Sequence, residues 1–291
     1  MARALILHNP AARNAPEPVL LRVLVRELRL AGFAAETRAS RAPGEMPALA
    51  RAAAAEGIER VVVCGGDGSV REAAEGLKGT AVPLAIVPLG TANVLAREMG
   101  LPSRRPEACA AVAARGRERR VGLGSVNGMA FTFCASAGLD SQAVDRVDLL
   151  EKRQTGGWAY VHAALTALVE GGSPRLAVIL DDGRRLAAVQ VFATRARRYG
   201  GPFVLSAHAR LEAPTVRLLV MAPPLSRGIG LPARLLAGGL DGAPGVTSLE
   251  VQAFRLEAAA PFPVQADGDI VARTPARFGS EPDALTLVFP S

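Results

Sequence analysis

RVVVCGGDGSV (residues 60–70) and PLAIVPLGTAN (residues 83–93) repeat one arrangement: an apolar run, a glycine-rich loop, then the start of a helix. Arg60 to Cys64 is uninterrupted and β-branched, the pattern of a strand buried on both faces. GGDG follows, and a helix is expected from Ser69 to Leu77. Pro83 to Pro88 reads as the next strand, LGTAN as its loop, and a further helix runs through Met99 to stop at Gly100. Upstream lie two more βα units. Ala4 to His8 and Phe33 to Ala39 are strand-like, while Pro18 to Ala31 and Met46 to Glu56 carry helical spacing and end at Gly32 and Gly57. Alternating elements of this kind predict a parallel sheet with helices on both faces.

Right-handed crossovers between parallel strands bring their carboxyl ends to one edge, so the loops Gly65 to Ser69 and Gly90 to Asn93 are expected side by side. Glycines at 65, 66 and 68 let backbone N–H groups approach a phosphate with no Cβ in the way, and the following helix start favours an anion. Ser69 and Glu72 also have the spacing of a capping box, so the same loop reads equally as a plain strand–turn–helix junction. Asp67 bears on that choice. A carboxylate in a phosphate loop is counterproductive unless a divalent cation or a hydroxyl lies between them. No GxxxxGK[ST] pattern is present, and Lys78 and Lys152 are the only lysines. GLGSVNG at 122–128 lacks the third glycine and the following helix of a dinucleotide fingerprint.

The chain has 291 residues, 49% of them hydrophobic, enough for two compact domains. MARALILHNP reads as a first strand and not a secretory signal, and no apolar run reaches the ~18 residues of a membrane span. Cys64, Cys109 and Cys134 are widely spaced in apolar surroundings, as buried thiols are. A net charge of +7 draws the surface toward anions. The arginines are scattered without the interleaved aromatics of a base-stacking surface, so nucleic acid is not the expected partner.

Asn9-Pro10, VVVCGGDGSVREAAEG at 61–76 and IVPLGTANVLAREMGLP at 86–102 resemble the nucleotide-site signatures of the diacylglycerol kinase catalytic domain, shared with sphingosine kinases and bacterial lipid kinases. The likeness continues through FTFCASAGLDSQAV at 131–144, Lys152 and GGWAY at 156–160, YGGPF at 199–203 and QADGD at 265–269. It implies that ATP is surrounded by Asn9, Pro10, the segment through Arg13, Thr37, Gly65, Gly66, Gly68, Ser69, Glu72, Gly90, Thr91 and Asn93, with Asp67 beside the phosphates and magnesium. Asp269 matches the last acidic residue of the family's DGE signature, the base that deprotonates the lipid hydroxyl. The residues alone also allow a plain Asp267-Gly268 hairpin turn there. Three departures stand out. Asp269 is one methylene shorter than Glu, Gly122 stands where a carboxylate is usual, and Glu212-Ala213-Pro214 replaces a DDG segment associated with a structural magnesium, leaving Glu212 as the one candidate ligand.

The resulting expectation is an α/β domain of NAD kinase/diacylglycerol kinase type over 1–120, then a mainly antiparallel β-sandwich over 121–291 that completes the lipid cleft, its last strand a candidate to return to the first domain. Strands are expected at Arg119 to Asn127, Met129 to Ala135, Leu176 to Leu180, Leu186 to Thr194, Val216 to Met221, Thr247 to Phe254, Phe262 to Ala266, Ile270 to Arg273 and Leu285 to Phe289. Trp158 to Val169, with Tyr160 and His162, reads as an apolar helix. Ser226 to Leu240 reads as a helix packed on the surface or lying against a membrane. Asp140 reads as a surface acid or a contributor between the domains. The expected activity is transfer of the ATP γ-phosphate to diacylglycerol or a related lipid by a cytoplasmic protein in peripheral contact with the inner face of the membrane, with a homodimer open. A non-catalytic nucleotide or lipid sensor and an NAD kinase-like enzyme with a GGDG loop are the alternatives.

Overall fold

The computed structural model describes residues 1–102, 105–146, 174–200, 203–223 and 231–291. Lys152, the expected helix at 158–169 with Tyr160 and His162, and the first part of the 226–240 segment lie outside the described residues. The chain divides into two compact units, Met1–Val121 with Asp283–Ser291, and Gly122–Pro282.

The first unit is built on β1 (Ala2–His8), β2 (Phe33–Ala39), β3 (Arg60–Gly65) and β4 (Leu84–Pro88), hydrogen-bonded in the order β2-β1-β3-β4 and all parallel. The segment 283–291 returns to this unit, where Leu287 pairs in parallel with Leu84. Val61, Val62, Val63 and Cys64 are buried, as a strand covered on both faces requires. Strand order supplies the reason for the two helical layers. The chain moves outward from β1 to β2 and then reverses across β1 to β3, so right-handed crossovers put α1 (Pro18–Leu30) and α2 (Met46–Ala55) on opposite faces. α1 packs with α5 (Pro106–Arg115), and α2 with α3 (Asp67–Leu77). The packing of α2 on α3 is close: a Cβ at Gly76 would lie 2.3 Å from the Pro47 carbonyl oxygen. Leu20, Leu24 and Leu28 bury one stripe of α1, four residues apart.

The second unit is a sandwich of two mainly antiparallel sheets. One contains the second part of β5 (Arg117–Val126), β6 (Met129–Phe131), β8 (Leu176–Leu180), β9 (Arg185–Ala188), β15 (Ala253–Ala258) and the first part of β18 (Ala276–Phe289), while β11 (Arg198–Tyr199) and β12 (Phe203–Val204) pair as a separate two-stranded ribbon. The other runs β14 (Val246–Val251), β13 (Val216–Met221), β10 (Gln190–Thr194), β7 (Cys134–Ala137), β16 (Pro263–Ala266), β17 (Asp269–Arg273). Val178, Leu218, Val220, Leu256 and Val264 fill the space between them, with Phe254 stacked on Phe278 at 4.5 Å between ring centroids.

Three runs expected as single strands are each two strands. Met129 to Ala135 breaks at Thr132-Phe133, Leu186 to Thr194 at Val189, and Thr247 to Phe254 at Gln252; at each break the chain leaves one sheet and enters the other. Both halves of such a run face the same core, so composition stays apolar while the pairing partner changes. Cys64, Cys109 and Cys134 are buried free thiols, and burial pushes Cys64 up to about 12 and Cys109 to about 11. No helix among the described residues is long and apolar enough to cross a membrane.

Candidate functional site

The reversal of direction at β1 and β3 opens a crevice outside their carboxyl ends, the place where open parallel sheets take ligands. Asn9 follows β1 at that edge. Its Oδ1 accepts from Ala11 N–H at 2.9 Å, folding the loop back on itself, and Asn14 Nδ2 donates to Leu89 O at 2.8 Å. The loops after β1 and β4 are thereby joined. Those after β3 and β4 touch: a Cβ on Gly90 would lie 2.6 Å from Gly66 Cα, and Leu89 N–H donates to Gly65 O at 2.9 Å. A Cβ at Gly90 collides with backbone, and one at Gly66, 3.1 Å from Gly90 Cα, is a tight fit.

Helix α3 starts at Asp67, two residues before the expected Ser69, and its N-cap is Gly66 with no side-chain cap. Ser69 is therefore inside the first turn and forms no capping box with Glu72; its hydroxyl lies against Gly65, where a Cβ would approach within 2.7 Å. With a glycine cap, no side chain makes a capping hydrogen bond at the amino end of this eleven-residue helix. Asp67 Oδ1 accepts from Leu95 N–H at 3.4 Å, at the start of α4 (Val94–Glu98). Asn93 precedes α4 with a left-handed φ of 45° and donates from Nδ2 to Gly90 O at 2.6 Å. Its Oδ1 and His8 Nδ1 are buried with no hydrogen-bond partner among the described residues. Thr91 and Pro10 are exposed at the edge, Glu72 is half-buried on α3, and Thr37 is exposed on β2, paired with Ile6.

In the second unit Asp269 is the first residue of β17 and pairs with Ala266 across an Asp267-Gly268 turn, both residues at positive φ (51° and 92°). Asp267 is 6% exposed and does what composition did not suggest. Its carboxylate accepts from Thr132 N–H at 2.6 Å, Thr132 Oγ1 at 2.8 Å, Phe133 N–H at 3.1 Å and Cys134 N–H at 3.0 Å. The three N–H groups are backbone donors of the segment where the chain changes sheet between β6 and β7. Burial raises the Asp267 pKa, and the three backbone donors with Thr132 oppose that rise.

A second set of side chains steadies the same turn. Gln265 Oε1 accepts from Gly268 N–H at 2.9 Å, and its Nε2 donates to Ser136 Oγ at 2.5 Å. Ser136 donates to Asp140, which sits on α6 (Leu139–Arg146). Asp140 also accepts from Tyr199 OH, Gln190 Nε2 and Ser141 N–H, each at 2.7 Å. Desolvation and the neighbouring Asp140 push the Tyr199 phenol well above its ordinary value, so it keeps its proton and donates. Asp140 is thus the hub of a hydrogen-bonded cluster and not a surface acid. Its one sequence signal is a carboxylate inside the apolar segment ASAGLDSQAV; Tyr199 stands in the YGGPF likeness with no role attached, and Gln190 carries no signal.

Among the described residues no three His, Cys, Asp or Glu side chains are grouped to hold a metal ion. Asp67 suits a magnesium ion that arrives with a nucleotide, which needs one or two protein carboxylates beside phosphate oxygens and water. Glu212 does not suit a metal. It is exposed, and the carbonyl oxygens on either side, Leu211 and Ala213, accept from Arg195 Nη2 at 2.9 and 2.5 Å.

A parallel α/β unit whose glycine loops touch at the ligand edge, followed by a β-sandwich, is an arrangement suited to receiving a phosphate group. Residues 3–126 match the diacylglycerol kinase catalytic domain and 134–289 the YegS C-terminal NAD kinase beta sandwich-like domain. The chain belongs to the diacylglycerol kinase-like family of lipid kinases. It is 32% identical to a probable lipid kinase YegS-like protein of Pseudomonas aeruginosa strain UCBPP-PA14, over 99% of this chain and 94% of that one. It is 31% identical to a diacylglycerol kinase of Mycobacterium tuberculosis, over 83% and 80% of the two chains. A crystal structure of a diacylglycerol kinase from Bacillus anthracis str. Sterne superposes with a TM-score of 0.80 at 21% identity, covering 99% of this chain and 96% of that one, which is a likeness of fold.

Proposed function

We propose that this protein transfers the γ-phosphate of ATP to the hydroxyl of diacylglycerol or a related long-chain lipid, working in peripheral contact with a membrane. The observation that carries the reading is the contact of Gly66 with Gly90, which puts two glycine loops and the uncapped start of α3 at one sheet edge. The amino end of α3 and the N–H groups of 65–69 and 90–93 receive the phosphates. The unpartnered Asn93 Oδ1 and His8 Nδ1 are polar atoms that a ligand or its water would satisfy. Asp67 would hold a magnesium ion that arrives with the nucleotide, and the ion would supply charge neutralisation at the phosphates. Asp269, presented by the anchored Asp267-Gly268 turn, takes the proton of the lipid hydroxyl as its oxygen bonds to the γ-phosphorus and the bond to the ADP oxygen breaks.

The test is transfer from γ-labelled ATP to diacylglycerol, monoacylglycerol and sphingosine in mixed micelles, with NAD as a water-soluble acceptor and Asp67→Asn and Asp269→Asn as variants. Labelled lipid that disappears in both variants supports the assignment. Labelled NAD in place of lipid would move the reading to an NAD kinase-like enzyme. Tight ATP binding with no labelled acceptor would leave a sensor.

A further inference from the structure

Arg195 follows β10, and its side chain is closed to solvent at 0% exposure. A buried guanidinium normally needs a carboxylate. This one has oxygen atoms without formal charge. Nη2 donates to Leu211 O at 2.9 Å and Ala213 O at 2.5 Å; Nη1 donates to Ser280 Oγ at 2.9 Å and, at 3.4 Å, to Thr215 O. Ser280 passes its own proton to Pro214 O at 2.9 Å, which leaves a lone pair for the guanidinium. The loop 211–215 is therefore wrapped around one positive centre. Burial lowers the Arg195 pKa to about 10 against the pull of Glu212, so the charge is present at neutral pH.

Room for that charge comes from Gly122. A Cβ there would lie 2.1 Å from Nη2 and 2.6 Å from Cζ, and Gly122 N–H donates to Leu211 O at 2.9 Å. A carboxylate side chain at 122 would occupy the guanidinium's own volume. Carbonyl oxygens converging on one cation are the coordination pattern of a hard metal ion, and here a side chain supplies the cation. We infer that Arg195 takes the place of a divalent ion in the 211–215 loop: the loop's counter-charge is built into the chain, and this protein binds no structural metal there. The absence of carboxylates at Gly122 and Ala213 and the buried arginine are then one substitution, since a guanidinium and a metal ion cannot share these oxygens.

The test is thermal melting of the full chain without nucleotide, in chelator, in magnesium and in calcium at matched ionic strength. Wild type, Glu212→Gln, Arg195→Met and Arg195→Lys are compared. The wild type is expected to melt at one temperature, within about a degree, in all three conditions. Arg195→Met is expected to melt lower by about 5 °C or more, because Ala213 O, Thr215 O and Ser280 Oγ lose the guanidinium and Leu211 O keeps Gly122 N–H alone, with Arg195→Lys between the two. A saturable rise of the wild-type midpoint with either ion that Glu212→Gln abolishes would overturn the inference. So would Arg195→Met melting with the wild type. If Arg195→Met does not fold, the comparison of wild type with Glu212→Gln still decides. Melting reads folding alone, so failure to phosphorylate any lipid would leave this result standing.

Discussion

Replacing Gly90 by alanine tests whether the touching loops form the nucleotide site. The new Cβ would lie 2.6 Å from Gly66 Cα and 2.8 Å from Asn93 Oδ1. Carbon atoms rest at about 3.5–4 Å, so the loops must part by roughly 1 Å. No rotamer relieves this clash, because the obstacle is backbone. Gly66 cannot retreat freely, since its carbonyl accepts the Val70 N–H at 3.1 Å as the cap of α3. Overpacking of this kind costs about 1–3 kcal/mol of stability. A displacement of about 1 Å in groups that position a reacting phosphate is worth on the order of 100-fold in rate. Gly57→Ala is the matched control. Its φ of +75° strains an alanine, yet nothing lies within 4 Å of the new atom, and it sits at the opposite end of β3. Calorimetric ATP affinity and lipid phosphorylation should both fall in Gly90→Ala and hold in Gly57→Ala at comparable stability. Gly66→Ala, with its contact at 3.1 Å, should fall between. Wild-type affinity and turnover in Gly90→Ala would refute the assignment of these loops to the nucleotide.

Asp267→Asn should lose about 3 kcal/mol in urea unfolding, because three buried N–H groups meet an amide in place of a carboxylate, whereas Asp269→Asn should unfold like the wild type. Asp140→Asn should lower kcat about tenfold with the KM for ATP unchanged and the pH profile of kcat displaced, since Asp140 acts through Ser136 and Gln265 on the turn that carries Asp269. An unchanged profile would mean that the cluster only packs. His8 is lowered below 6.5 by burial, so the unfolded chain takes up a proton there before the folded one does. Stability should be level above about pH 6.5 and fall as pH drops through the window below it; urea midpoints of His8→Gln should lack that part of the fall.

What the sequence disclosed follows from which part of the chain does the work. The α/β unit is legible because its candidate site is made of backbone. Glycines at 65, 66 and 90 and the βα period leave a direct trace in composition, and the parallel sheet emerged with nearly the expected strand bounds. In the sandwich, the change of sheet at Val189 and Gln252 leaves no trace, because the residues before and after face one core. In the sequence Asp267 reads as a turn residue and Asp140 as a surface acid or an inter-domain contributor, neither as the centre of a hydrogen-bond network. A carboxylate that satisfies donors more than 130 residues away has no local pattern to read. In the sequence Arg195 is one of many scattered arginines, and only the fold brings it to Gly122.

Asp269 is where these two kinds of information meet. The family pattern has glutamate there, so sequence alone suggests that Asp269→Glu should raise turnover. Geometry argues the reverse. The turn before Asp269 is fixed at Asp267 by four hydrogen bonds and at Gly268 by Gln265, and this anchorage leaves the backbone little freedom to withdraw. An added methylene advances the carboxylate by about 1.5 Å, more than the misplacement of about 1 Å that costs on the order of 100-fold. Asp269→Glu should therefore lower kcat at least tenfold, with ATP affinity and urea stability unchanged. Higher kcat would show that the turn does not set the reach of the carboxylate, and that the missing methylene is a defect which nothing in this hairpin compensates.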